Sequence, residues 1–125
     1  MTRVLVIDDE PDLRLLARLV LEQAGFDVEE ADDGDSGLDA LEARPTDIVL
    51  LDLRMPRMDG WTVLDKLRST GRLNTLAVIV VSAHAAGDAA ARALELGCRG
   101  YLQKPFTASQ IIDIIEGARA GRAET

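Results

Sequence analysis

Acidic side chains gather after two of the aliphatic runs in this chain: Asp8-Asp9-Glu10 follow Val4–Ile7, and Asp52 follows Ile48–Leu51. A third run, Ala77–Val81, closes on Ser82, with Ala83 and His84 behind it, and the short segment Gly100–Gln103 closes on Lys104-Pro105. Carboxylates brought together repel one another unless a proton or a cation intervenes. Oxygen donors alone favour a hard ion, and a few carboxylates with room for water suit Mg²⁺ better than a dedicated Ca²⁺ cage. Zinc is disfavoured without thiolate or clustered imidazole ligands. Mg²⁺ beside an ammonium and a hydroxyl can hold a phosphoryl group in line with a nucleophile, and a carboxylate can be that nucleophile. These strand-end residues contain no Cys–His pair and no Ser–His–Asp set. Residue types alone leave open which carboxylate is attacked.

The residues share a site only if the chain places all these run ends on one side. Continuous aliphatic runs rich in β-branched residues suit parallel strands covered on both faces. Three such runs are Val4–Ile7, Ile48–Leu51 and Ala77–Val81; the acidic run Asp27–Ala31 predicts an edge strand, and Gly100–Gln103 a short fifth. Helical spacing fills the gaps. Leu13, Leu16, Ala17, Val20 and Ala24 line the first helix, with Pro11 at its start and Gly25 as a left-handed stop. The second spans about Asp35 to Ala43, and the third follows Asp59-Gly60 with Val63, Leu64 and Leu67. The fourth runs from near Asp88 to Leu96, ended by Gly97. Thr107 with Gln110 forms a capping box for the fifth, which carries Ile111, Ile114, Ile115 and Ala118. Strand and helix in alternation imply right-handed crossovers and a doubly wound α/β sandwich. The cleft of such a sheet lies beyond the carboxyl ends of its strands, where these polar residues stand.

The 125 residues suffice for one domain, with 14 Lys plus Arg against 22 Asp plus Glu and a formal charge of −8. So acidic a domain repels phosphate backbones and anionic headgroups, which argues against direct nucleic-acid or membrane binding. The single cysteine, Cys98, cannot form an internal disulfide and reads as a small buried residue. The N-terminus turns acidic too soon for a signal peptide, and no apolar run reaches membrane-spanning length, so the expected location is cytoplasmic. The apolar content fades from Gly117 to Thr125, which predicts a domain over residues 1–119 and a tail or linker start over 120–125.

Five pieces in order resemble the receiver domain of two-component response regulators, of the single-domain chemotaxis-regulator kind. They are Val4-Leu5-Val6-Ile7-Asp8-Asp9-Glu10, Leu51-Asp52-Leu53-Arg54-Met55-Pro56, Met58-Asp59-Gly60, Val81-Ser82-Ala83 and Gly100-Tyr101-Leu102-Gln103-Lys104-Pro105-Phe106. The resemblance covers Met1 to about Arg119. It implies a flavodoxin-like five-stranded parallel sheet of order 2-1-3-4-5 with five helices. It further implies Asp52 as phospho-acceptor, with Mg²⁺ held by Asp9, Asp52 and the backbone carbonyl of Arg54, and by Asp8 through water. Lys104 would pair with a phosphoryl oxygen and Ser82 would bond another, drawing Tyr101 inward. Arg54 and His84 would tune dephosphorylation, while Pro105, Pro56 and Gly60 would shape the loops, Pro105 through a cis bond. The implied partners are a histidine kinase or histidine phosphotransfer protein, and a downstream effector or an output domain outside this chain. The domain would be no enzyme beyond its own phosphorylation and dephosphorylation.

Simpler readings stand beside these. Asp8 and Asp9 could cap the first helix, Ser82 could bond only local backbone, Tyr101 could merely pack, and His84 could be an ordinary loop residue. Trp61 reads as packing at the start of the third helix, and Glu29, Glu30, Asp32, Asp33 and Asp35 as a solvated edge. Ser82 stands where Thr is commoner in the family. Arg99 and Gly100 replace the acids of members that dimerise through the fourth helix and fifth strand, which weakens the case for that dimer. A haloacid-dehalogenase-type phosphohydrolase would need an acid where Arg54 stands. An FMN carrier would need a Ser/Thr/Gly-rich loop in place of Asp8-Asp9-Glu10. A receiver-like module that binds partners without phosphorylation is the remaining alternative.

Overall fold

The computed structural model describes residues 2–83 and 87–123. Five strands, β1 (Arg3–Ile7), β2 (Asp27–Ala31), β3 (Ile48–Asp52), β4 (Ala77–Ser82) and β5 (Gly100–Gln103), alternate with five helices. These are α1 (Pro11–Gln23), α2 (Gly34–Ala43), α3 (Gly60–Ser69), α4 (Gly87–Glu95) and α5 (Ala108–Ala123). The strands are all parallel, in the order β2-β1-β3-β4-β5. The doubly wound sheet expected from the alternation is therefore present.

Residue choice explains the layering. β3 and β4 are buried along their whole length and β1 from Val4 onward, as aliphatic runs require. Alternate residues of each strand face opposite helix layers. Leu5, Ile7, Val49, Leu51, Val78 and Val80 pack with α2, α3 and α4, whereas Val4, Val6, Ile48, Leu50, Ile79 and Val81 pack with α1 and α5. β2 carries the acids at the sheet edge, but they are not simply solvated. Arg3 pairs with Asp27 and Glu29, while Arg14 and Arg18 both reach Glu30. The edge position exposes these acids, and arginines of β1 and α1 converge on them.

Helix ends follow local chemistry. Asp33 accepts the Ser36 N–H at 2.7 Å and Asp59 the Thr62 N–H at 2.9 Å. Thr107 and Gln110 form the reciprocal box, at 2.8 and 3.1 Å. Gly25 and Gly97, at φ 95° and 110°, take the left-handed turns that stop α1 and α4. α5 runs to Ala123, beyond the expected fading at Gly117, because Ala and Arg in that stretch are strong helix formers. A 3₁₀ turn at Arg72–Asn74, unmarked by any periodicity, links α3 to β4. Among the described residues, no helix is long and apolar enough to cross a membrane.

Candidate functional site

The sheet order makes β1 and β3 neighbours whose crossovers leave in opposite directions, so a crevice opens at their carboxyl ends. Asp8 directly follows β1 and Asp52 ends β3; both are buried, at 1% and 4% exposure. Asp9 and Glu10 are exposed beside them, and one oxygen from each of the four carboxylates lies within 4.8 Å of the others. Lys104, just beyond β5, reaches across the strand ends. Its Nζ stands 2.9 Å from Asp8 Oδ2, 2.9 Å from Glu10 Oε1 and 3.6 Å from Asp52 Oδ2. Three carboxylates thus share one ammonium, with Asp9 beside them.

Burial pushes the Asp52 carboxyl up to about 6, the charge of Asp8 adding to the effect against the pull of Lys104 and the Arg54 N–H. Asp8 is raised as well, again chiefly by burial, with Lys104 and the Glu10 N–H opposing. Partial burial alone would lower Lys104, but its close pairing with Asp8 and Glu10 and the charge of Asp52 outweigh that and hold the ammonium above its usual range. A raised carboxyl binds its proton more tightly folded than unfolded, so its favourable contribution exists at low pH and is lost as pH rises through about 6. Asp52→Asn is therefore expected to stabilise the metal-free protein at pH 7 by roughly 1–3 kcal/mol, a gain that shrinks on acidification. Denaturant unfolding of both proteins across that range checks it, and a destabilised variant would refute it.

The remaining candidates occupy the rim. The Arg54 N–H donates to Asp52 Oδ1 at 3.3 Å, and the Arg54 side chain is exposed. Ser82 ends β4 and is buried, its carbonyl accepting the Lys104 N–H at 2.8 Å. Tyr101, on β5, is half-buried against the α2–α3–α4 layer. The Lys104–Pro105 bond is cis, and Pro105 and Pro56 are exposed. Gly60 is buried directly against the backbone of Asp52 and Leu53 and donates its N–H to Leu53 O at 2.9 Å. His84 lies outside the described residues.

Some features escaped sequence reasoning. Glu10 is legible from sequence as a member of the acidic cluster, but not its partner: its side chain makes no cap bond and holds Lys104, while Asp8 Oδ1 accepts the Glu10 N–H at 2.9 Å. Arg57 adopts a left-handed φ of 68° without being glycine, and its guanidinium pairs with Asp33 at 2.8 Å. Arg92 of α4 stacks on Trp61, 4.1 Å from the ring centroid. Trp61 also borders an open cavity of about 500 Å³ shared with Asp9, Arg54, Met55 and Asp59.

The donor set fits a hard divalent cation. Among the described residues the converging ligands are all oxygens, and the buried Asp8 Oδ2, although ion-paired to Lys104, accepts no hydrogen bond of adequate geometry. The thiol of Cys98 is remote in role: it is buried in the α2–α3–α4 layer, where burial pushes it up to about 12 and keeps it unreactive.

A parallel sheet of this order with an acid crevice and a lysine after the last strand defines a receiver-type α/β domain. Residues 4–116 match the response regulator receiver domain family, and the chain belongs to that family. It is 34% identical over 112 residues to the DNA-binding dual master transcriptional regulator RpaA of Synechocystis sp., covering 90% of this chain and 46% of that protein. The chain spans about half the length of the curated relatives it matches. Among solved structures, a response regulator receiver domain protein from Clostridium thermocellum superposes over 100% of both chains at 28% identity, with a TM-score of 0.85. NtrX of Brucella abortus matches 98% of this chain and 28% of its own at 32% identity, with a TM-score of 0.90.

Proposed function

We propose that this receiver domain takes a phosphoryl group onto Asp52 from a phosphohistidine of a histidine kinase or histidine phosphotransfer protein. The observation that carries the reading is the burial of Asp52 at the end of β3, with the Lys104 ammonium 3.6 Å away and shared with Asp8. An Asp52 oxygen bonds to phosphorus as the phosphorus–nitrogen bond of the donor breaks, and the imidazole leaves with the electron pair. Lys104 then meets the charge on the phosphoryl oxygens. Asp9, Asp52 and the Arg54 carbonyl, with Asp8 through water, are the groups that would hold Mg²⁺. Bound there, the ion supplies the charge neutralisation that lets an acidic cleft receive a dianion.

Ser82 bonds a phosphoryl oxygen and Tyr101 follows inward, shifting a pre-existing equilibrium between two conformations. Water resets the switch: its oxygen adds to phosphorus, the acyl oxygen–phosphorus bond breaks, and phosphate leaves with the Asp52 carboxylate restored. Arg54 and His84 tune that step, and Pro105, Pro56 and Gly60 hold the loops. The domain catalyses only this gain and loss of its own phosphoryl group. It acts in the cytoplasm, over residues 1–119, through a downstream protein or an output domain beyond it, with no direct contact to nucleic acid or membrane.

The test is intact mass after mixing the chain with Mg²⁺ and acetyl phosphate. A single phosphoryl adduct on the wild type is expected, absent without Mg²⁺ and absent in Asp52→Asn. No adduct with acetyl phosphate or phosphoramidate, even at short times, would favour an interaction module that works unphosphorylated.

A further inference from the structure

We propose that Glu10 is a positioning residue, a built-in counterion for Lys104 that the incoming phosphoryl group must displace. The inference rests on the proposed phosphorylation of Asp52 and deepens it. Lys104 Nζ lies closer to Glu10 Oε1, at 2.9 Å and within a hydrogen bond, than to Asp52 Oδ2, at 3.6 Å. The ammonium is thus engaged away from the candidate acceptor. The Glu10 carboxylate is free to do this because it makes no capping bond at the start of α1, and the Glu10 N–H, donated to Asp8 Oδ1, ties the residue's backbone to the same cluster.

Exposure decides which partner yields. The Glu10 side chain is 61% exposed, against 2% for Asp8 and 4% for Asp52. Removing a cation from a buried carboxylate leaves an uncompensated charge, whereas an exposed carboxylate is rehydrated at little cost. A dianion arriving over Asp52 therefore exchanges with Glu10, while Asp8 keeps its share of the ammonium. Glu10 competes with the phosphodonor for Lys104 without touching the reacting atoms.

Glu10→Gln in the full chain tests this. With Mg²⁺ present, the initial rate of adduct formation is followed against acetyl phosphate concentration. The apparent KM is expected to fall about two- to fivefold, the range set by an ion pair with one exposed partner, with kcat nearly unchanged. Asp12→Asn removes the same charge from the first turn of α1 and controls for the general field; it should move KM much less. The Mg²⁺ affinity, titrated without phosphodonor, should match the wild type. Equal KM changes in the two variants would overturn the proposal in favour of a through-space effect. A weakened Mg²⁺ affinity in Glu10→Gln would overturn it by making Glu10 a metal ligand. A wild type that forms no adduct overturns the phosphorylation reading and this inference with it; a phosphorylated wild type with unchanged KM in Glu10→Gln overturns this inference alone.

Discussion

Lys104→Met is expected to destabilise the metal-free protein by about 3 kcal/mol at pH 7, because it strips the cation from two buried carboxylates. Methionine keeps most of the apolar stem, so the loss isolates charge rather than packing. The loss depends on pH. Asp52 already titrates near 6 and Asp8 is raised with the ammonium in place. Without Lys104 both carboxyls move higher still, and the variant folds best where they are protonated. The deficit should therefore shrink as pH falls from 7 toward about 4, where ordinary carboxyls also protonate. Denaturant unfolding at a series of pH values measures it, and a deficit that stays constant would assign the loss to packing. In the proposed chemistry the same variant should form adduct orders of magnitude more slowly, since among the described residues Lys104 is the side-chain cation that pairs with Asp52.

Gly60→Ala should be costly for a different reason. A Cβ at this position would stand 2.4 Å from the Asp52 carbonyl oxygen and 2.7 Å from the Leu53 Cα. Both are main-chain atoms in the segment that carries Asp52, so relief requires moving β3 away from α3. We expect a loss of about 2–3 kcal/mol, typical of overpacking a rigid site, despite the better helix propensity of alanine. Gly117, with nothing within 4 Å of its own Cβ position, supplies the contrast: Gly117→Ala should raise stability by about 0.5–1 kcal/mol. Thermal or denaturant unfolding of the two variants side by side gives the comparison. If Gly60→Ala proved neutral, the tight seating of α3 on Asp52 would be wrong.

The strand-end logic found Asp8, Asp52, Ser82 and Lys104 because each directly follows an aliphatic or short strand segment, and parallel topology brings such ends to one edge. It found the helices because caps such as Asp59 and the Thr107–Gln110 pair are local in sequence. What it could not find depends on distant partners. Glu10 and Lys104 meet 94 residues apart, and nothing near Glu10 distinguishes a lysine partner from a cap. The Arg92–Trp61 stack needs the packing of α4 on α3, which periodicity does not specify. Pro56 and Gly60 mark the loop after β3, but Arg57 at positive φ violates residue preference, so its left-handed place in that loop has no sequence signal. Asp32 and Asp35 are exposed, as a solvated edge requires, whereas Glu29, Glu30 and Asp33 pair with arginines that sit on other elements and so leave no local signal.

The reach of Lys104 over the strand ends has a bearing on biosynthesis. β1 and β3 leave a ribosome well before β5, so Asp8 and Asp52 emerge long before the ammonium that reconciles them with burial. A nascent chain halted short of Lys104 could close its aliphatic layers only by burying two uncompensated carboxylates, or by keeping them protonated or wet. The crevice therefore penalises premature compaction and rewards completion of the last strand. Consolidation of the fold would thereby wait for the segment that carries Lys104.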